Sequence, residues 1–155
     1  MQTPAHLAQF IQAHQLDAQL ITDIGETPTV PAAALALGVQ VEQILKTLLF
    51  FVRDEPVVVI SHGVAPVPTR VLADYFGVGK RRVKLATPQQ VLAELGYPVG
   101  GVPPIGHVRA HTVLMAQTVF QYHPLFGGGG DDRTMLRISA LLLQRLLNPV
   151  LLPLA

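Results

Sequence analysis

Leu7, Phe10 and Ile11 recur at helical spacing behind Thr3-Pro4, an N-cap with proline at the first helical position, and predict a helix running to about Gln15. Asp17 to Ile24 alternates loosely, with Ala18, Leu20 and Ile24 against Gln19 and Asp23, and reads as a strand stopped by Gly25. Pro31 opens an Ala- and Leu-rich helix over 32–37, and Gly38 closes it. A polar turn from Val41 leads into Lys46-Thr47-Leu48-Leu49-Phe50-Phe51-Val52, apolar on both faces and therefore a buried strand starting near Lys46. Asp54-Glu55 turns the chain into a second apolar run, Pro56 to Ile60, so the two runs are expected side by side and antiparallel.

Pro68-Thr69 begins a helix through Phe76, closed by Gly77 and Gly79, and Lys80-Arg81-Arg82-Val83-Lys84 follows as a basic strand. Thr87-Pro88-Gln89-Gln90 supplies an N-cap, a proline at the first position and a glutamine placed for a capping box, in a helix ending at Gly96. Residues 96–106 hold four Gly and three Pro, which excludes regular structure and predicts a shaped loop. Beyond it, Thr112 to Phe120 is β-like, Gly127 to Gly130 forms a second glycine loop, Thr134 to Ile138 reads as the last strand, and Ser139 caps a helix over 140–147. Helices and strands interleave throughout, so the expected class is α/β, a single domain over residues 1–155 built on a mixed sheet.

Composition narrows the function. With 155 residues, half of them hydrophobic, the chain is long enough for one sizeable core, and no disordered or coiled-coil class fits. Charged residues make up 14%, against about 25% in an ordinary soluble protein. No apolar run reaches the roughly 18 residues needed to span a bilayer, and the first residues lack a basic segment followed by an apolar one, so the expectation is a cytoplasmic protein with no membrane partner. The formal charge of +1 excludes a protein that holds DNA or RNA by phosphate neutralisation alone. The run Lys80 to Lys84 is the one dense basic segment, and it reads first as a solvated strand edge kept from aggregating by charge. Oligomeric state is not legible.

Three features could carry chemistry. Lys46 is one of only three lysines and is framed by Ile44, Leu45, Leu48 and Leu49, with no acidic residue nearer in sequence than Glu42. A buried ammonium is costly unless paired, so this lysine either snorkels to the surface or serves an anionic ligand. In the 96–106 loop, glycines let the backbone approach a ligand and prolines fix φ, which makes either a preorganised hydrogen-bonding surface or a long surface turn. Its spacing matches neither a Walker A loop nor a Rossmann fingerprint. Gly127 to Gly130 reads equally as a flexible link or as a tight turn beside a ligand. The six histidines form no H-E-x-x-H or comparable pair, no serine sits in a nucleophile elbow and there is no cysteine. No metal or cofactor is expected; whatever chemistry exists uses lysine, histidine, backbone groups and water.

Three segments together resemble the YbaK/ProX-type aminoacyl-tRNA deacylase family, whose fold also occurs as the editing domain inserted in bacterial prolyl-tRNA synthetases. They are Thr29 to Val39 with Gln43-Ile44-Leu45-Lys46-Thr47-Leu48, then Gly96 to Gly106, which is the most specific match, and Gly129 to Ile138. The resemblance implies a mixed, partly barrel-like sheet surrounded by helices, and hydrolysis of a mischarged aminoacyl-tRNA ester, most simply tRNA-Pro carrying Ala, Cys or Ser. It implies Lys46 as the essential lysine, Gly101 as a catalytic backbone group, and Thr29, Val30, Gly100, Pro104, Ile105, Gly106, Gly129 and Gly130 as the substrate-binding surface. Leu20 and Val30 would make the pocket apolar. The implied partners are the acceptor end of an aminoacyl-tRNA and an aminoacyl-tRNA synthetase. Many family members carry an acid where this chain has Met115, which leaves a non-catalytic module that binds an acceptor end, a nucleotide or a synthetase as the alternative.

Overall fold

In the computed structural model, residues 1–26 and 29–154 are described. The two long apolar runs pair as expected: β2 (Leu45–Val52) lies antiparallel to β3 (Glu55–His62), with Lys46 opposite Ser61 and Val52 opposite Glu55. They form the heart of a five-stranded sheet, in which β4 (Val83–Leu85) flanks β2, and β5 (Thr112–Ala116) and β8 (Val150–Leu152) continue parallel on the β3 side. Val58, Val59 and Ile60 of β3 are fully buried, as a central strand covered on both faces requires. β1 (Gln19–Ile21), β7 (Met135–Ile138) and β6 (Leu125–Gly128) make a second, antiparallel sheet in the order β1-β7-β6. The sheets meet at one parallel bridge, Ile44–Phe126, and do not close into a barrel.

Five helices surround them, each bounded by chemistry visible in the chain: α1 (Pro4–Ala13), α2 (Val30–Leu37), α3 (Thr69–Phe76), α4 (Pro88–Leu95) and α5 (Ala140–Leu147). Gly38, Gly77 and Gly96 end α2, α3 and α4 in the left-handed region that glycine adopts without strain. At the start of α4, Gln90 N–H donates to Thr87 Oγ1 at 3.2 Å and Thr87 N–H donates to Gln90 Oε1 at 2.9 Å.

Four local expectations need correction. Lys80–Arg82 is a 3-10 turn, closed by the Arg82 N–H on the Gly79 carbonyl at 2.9 Å, so the strand starts only at Val83. The strand from Thr112 stops at Ala116 and a 3-10 turn, Gln117–Gln121, follows; its Thr118 hydroxyl meets His62 Nε2 at 2.7 Å, while His62 Nδ1 meets the Glu42 carbonyl at 2.7 Å. Both ring nitrogens of this buried histidine are thereby used in holding elements together. Gly127 and Gly128 belong to β6 and only Gly129 and Gly130 lie in the turn. Finally, β7 is not the last strand, because the leucine-rich tail adds β8 to β5 and buries Leu154.

Candidate active site

A cleft of about 420 Å³ opens where α2, α4, the 96–106 loop and the end of β6 converge on β2. Its walls are mainly aliphatic, with Val30 and Ala33 on one side and Leu85, Val91 and Val102 on the other. Val30 is seated against the backbone of Gly63, where a Cβ would lie 2.6 Å from its Cγ2. α2 and α4 both begin at the cleft, through Thr29, Val30 and Pro88, so the positive ends of two helices contribute to its potential.

Lys46 is the one charged side chain among the described residues that line it. Its Nζ donates to the Ala65 carbonyl, and no carboxylate is paired with it; the ion pairs among the described residues are Arg133–Glu26 and His111–Glu94. Burial in this apolar setting holds the Lys46 pKa below the usual lysine value, because the ammonium gives up water without gaining an acid. The half-buried ammonium and the helix ends therefore favour an anionic or developing-oxyanion group in the cleft.

Of the residues expected at the site, Lys46, Thr29, Val30 and Gly100 line the cleft. Thr29 Oγ1 accepts the Ala32 N–H at 3.2 Å, which starts α2 and leaves the hydroxyl proton available. Gly100 has φ +99 and nothing within 4 Å of where a Cβ would sit, so its backbone faces open space. Gly101 does not line the cleft, and both its backbone groups are taken: its N–H donates to the Pro98 carbonyl at 3.1 Å and its carbonyl accepts the Gly130 N–H at 2.8 Å.

The other expected residues build the wall behind. Pro104 packs on Gly127, Ile105 is in the core, and Gly106 abuts Leu7 and Phe10 of α1. Gly129 bonds back to the Thr134 carbonyl at 2.9 Å, and Gly130 packs on Pro4. Gly128 is the cleft glycine of that run. A Cβ on it would lie 2.4 Å from the Val102 carbonyl oxygen, and one on Gly101 would lie 2.6 Å from the Asp131 backbone. The two glycine segments thus interlock backbone to backbone, which is why side chains are missing there.

His107 pins this loop, its Nε2 donating to the Pro103 carbonyl at 2.6 Å. Its pKa lies below the usual 6.5, chiefly through burial, with His111 adding repulsion against the opposing pull of that carbonyl. The unfolded chain therefore takes up the proton first as pH falls, so this contribution to stability is whole above about pH 6.5 and is lost below it. Thermal melts are expected to show a midpoint that declines below pH 6.5, with the decline shallower in His107→Gln; parallel pH profiles for the two proteins would contradict that.

Residues 25–146 match the model of the aminoacyl-tRNA editing domain. The chain belongs to that family. This editing domain is similar to a proline–tRNA ligase of Thermosipho melanesiensis, 30% identical over 102 residues, which cover 66% of this chain and 17% of the ligase. It is also similar to the uncharacterized protein YwhH of Bacillus subtilis, at 24% identity over 112 residues, 72% of this chain and 69% of that one. In fold it is similar to the crystal structure of a candidate trans-editing enzyme for prolyl tRNA synthetase, with a TM-score of 0.89 at 22% identity, covering 97% of this chain and 95% of that one.

Two positions of the editing domain that looked pocket-related stand elsewhere. Met115, fully buried, pairs with Ile60 and Leu151 inside the sheet, and Leu20 pairs with Leu136 in the other sheet; neither lines the cleft. Lys80, Arg81, Arg82 and Lys84 are exposed and outside the ion pairs of the described residues, on the segment whose last strand residue, Leu85, does line it. No described helix is long and apolar enough to cross a membrane, and the described residues contain no cluster of three metal-ligating side chains.

Proposed function

We propose that residues 1–155 act as one editing domain that hydrolyses, in trans, the ester of mischarged aminoacyl-tRNA, with tRNA-Pro carrying Ala, Cys or Ser as the substrate. The observation that carries this reading is Lys46, a lone half-buried cation in an aliphatic cleft beside the unbonded backbone of Gly100.

In the proposed reaction a water oxygen attacks the aminoacyl carbonyl carbon, and the negative charge passes to the carbonyl oxygen. Collapse breaks the bond to the ribose oxygen, which leaves as a hydroxyl after taking a proton, and the amino acid departs as its carboxylate. Lys46 and the Gly100 N–H stabilise the charge that develops, in a low-dielectric site where fixed donors count for most. The aliphatic walls suit a small, weakly polar side chain, although one methylene shifts such selectivity by only about 1–3 kcal/mol. The exposed basic turn supports an RNA partner at the cleft mouth, and the proposed compartment is the cytoplasm.

A second reading, a module that binds an acceptor end, a nucleotide or a synthetase without cleaving anything, is favoured by one observation: no carboxylate or imidazole lines the cleft among the described residues. A panel of tRNA-Pro charged separately with alanine, cysteine, serine and proline separates the two. Release of at least one of the first three, with prolyl-tRNA spared, is expected; every ester surviving while tRNA binds would leave only the binding reading.

A further inference from the structure

The floor of the cleft is the edge of a strand. Residues 44–49 line it consecutively, although alternate side chains of a strand point to opposite faces, so the cleft runs along the side of β2 and meets its main chain. In a strand the N–H and C=O of one residue point the same way, and those of its neighbours point the other. The Leu49 carbonyl accepts the Ala86 N–H at 2.9 Å on the edge away from β3, whereas the Ile44 carbonyl accepts the Gly63 N–H at 2.7 Å on the β3 side. Leu45, Thr47 and Leu49 therefore direct their backbone groups to the outer edge. On that edge β4 covers only Phe50 to Val52, and the parallel bridge Ile44–Phe126 covers only the start, through the groups that flank Ile44, the Gln43 carbonyl and the Leu45 N–H. Thr47 falls in the gap. Its N–H and C=O point to this edge, where no strand pairs with it among the described residues, and it lines the cleft although it is only 8% exposed. Buried backbone groups are nearly always paired, so this pair is a ready site for a ligand.

We propose that the Thr47 main chain recognises the α-aminoacyl group itself by adding it to β2 as a one-residue strand. This rests on the ester-hydrolase reading above and specifies how the substrate is held. An α-aminoacyl group carries an acceptor, its carbonyl, and a donor, its ammonium, on either side of one carbon, which is the arrangement a residue of an added strand presents. The Thr47 N–H takes the carbonyl oxygen and the Thr47 C=O takes the ammonium in a charge-assisted bond. Lys46 fixes the direction, because its own positive charge repels the ammonium and attracts the ester end. The aminoacyl side chain then projects from the edge toward the aliphatic walls. No carboxylate lines the cleft among the described residues, so neutral oxygens, backbone carbonyls foremost, are what can hold the ammonium. Recognition through backbone atoms makes the free α-amino group the required feature and leaves side-chain choice to the walls.

Amide resonances of the whole protein test this, using 3′-alanylamido-3′-deoxyadenosine as a non-hydrolysable probe and its N-acetyl form as the control. In the free protein the Thr47 amide is expected to exchange with solvent at least about a hundredfold faster than that of Leu48, which points at β3. The alanyl probe is expected to shift and protect the Thr47 amide, and the N-acetyl probe to bind about tenfold more weakly. A Thr47 amide as protected as Leu48 in the free protein would overturn the inference. So would probe-induced shifts at Lys46 and Gly100 with none at Thr47, which would leave the hydrolase reading standing. A probe that moves no cleft resonance would remove both.

Discussion

Lys46→Ala is expected to lower ester cleavage by about two to three orders of magnitude, the usual effect of deleting one donor that stabilises a developing oxyanion. The loss should fall on kcat more than on KM, because the ammonium interacts more strongly with the charged transition state than with the neutral ester. The same substitution should leave the fold intact and raise its thermal midpoint slightly, since it removes a half-buried cation with no acidic partner from an apolar cleft. Lys46→Arg should recover little activity: a planar guanidinium cannot be placed as a point charge on one oxygen from the same backbone position. A structural role for Lys46 would give the opposite pattern, with activity and melting temperature falling together. Thermal melts run beside the kinetics distinguish the two.

Gly128→Ala is expected to be among the most damaging single changes, because the added methyl meets backbone on the facing loop: 2.4 Å to the Val102 oxygen, 2.8 Å to its carbon and 3.0 Å to the Gly101 carbon. Overpacking of that kind typically costs about 1–3 kcal/mol, and here no flexible side-chain end can swing away to relieve it. In a chain of this size that corresponds to a fall of roughly 3–10 °C in the thermal midpoint. Gly128 also lines the cleft, so the shift needed to admit the methyl should weaken the alanyl probe as well. Gly79→Ala is the matched control: no atom lies within 4 Å of its added Cβ and its φ is not in the left-handed region, so its midpoint should stay close to that of the parent. Equal midpoints for the Gly128 and Gly79 variants would refute the interlocked-loop description.

These cases also show what the chain disclosed before its structure. The helices, the β2–β3 hairpin, the shaped 96–106 loop and the isolation of Lys46 were legible because each depends on local chemistry: caps, breakers, apolar runs and the lack of nearby acids. Which glycine faces what was not legible. Gly100 and Gly101 are adjacent and identical, yet one backbone is open and the other is bonded at both its N–H and its carbonyl, and only the partner loop decides which. The same holds for Gly127 to Gly130, where a run of four carries no internal mark of the cleft position. β8 is three residues between two prolines, too short to show alternation, and its existence depends on a parallel partner in β5. The uncovered edge at Thr47 was hidden for a related reason, since an unpaired stretch can be seen only once the lengths of both neighbouring strands are known. Met115 looked like a missing pocket acid in the pattern, but its place inside the sheet was a matter of register.

The most direct measurement of the central claim is the release of alanine from Ala-tRNA-Pro by a substoichiometric amount of the protein. Wild type is expected to free many equivalents per enzyme, and Lys46→Ala to fall about a hundredfold or more below it at equal tRNA binding. Tight tRNA binding with the ester intact, or equal rates for the two proteins, would contradict a cleft in which one lysine and bare backbone carry the cleavage.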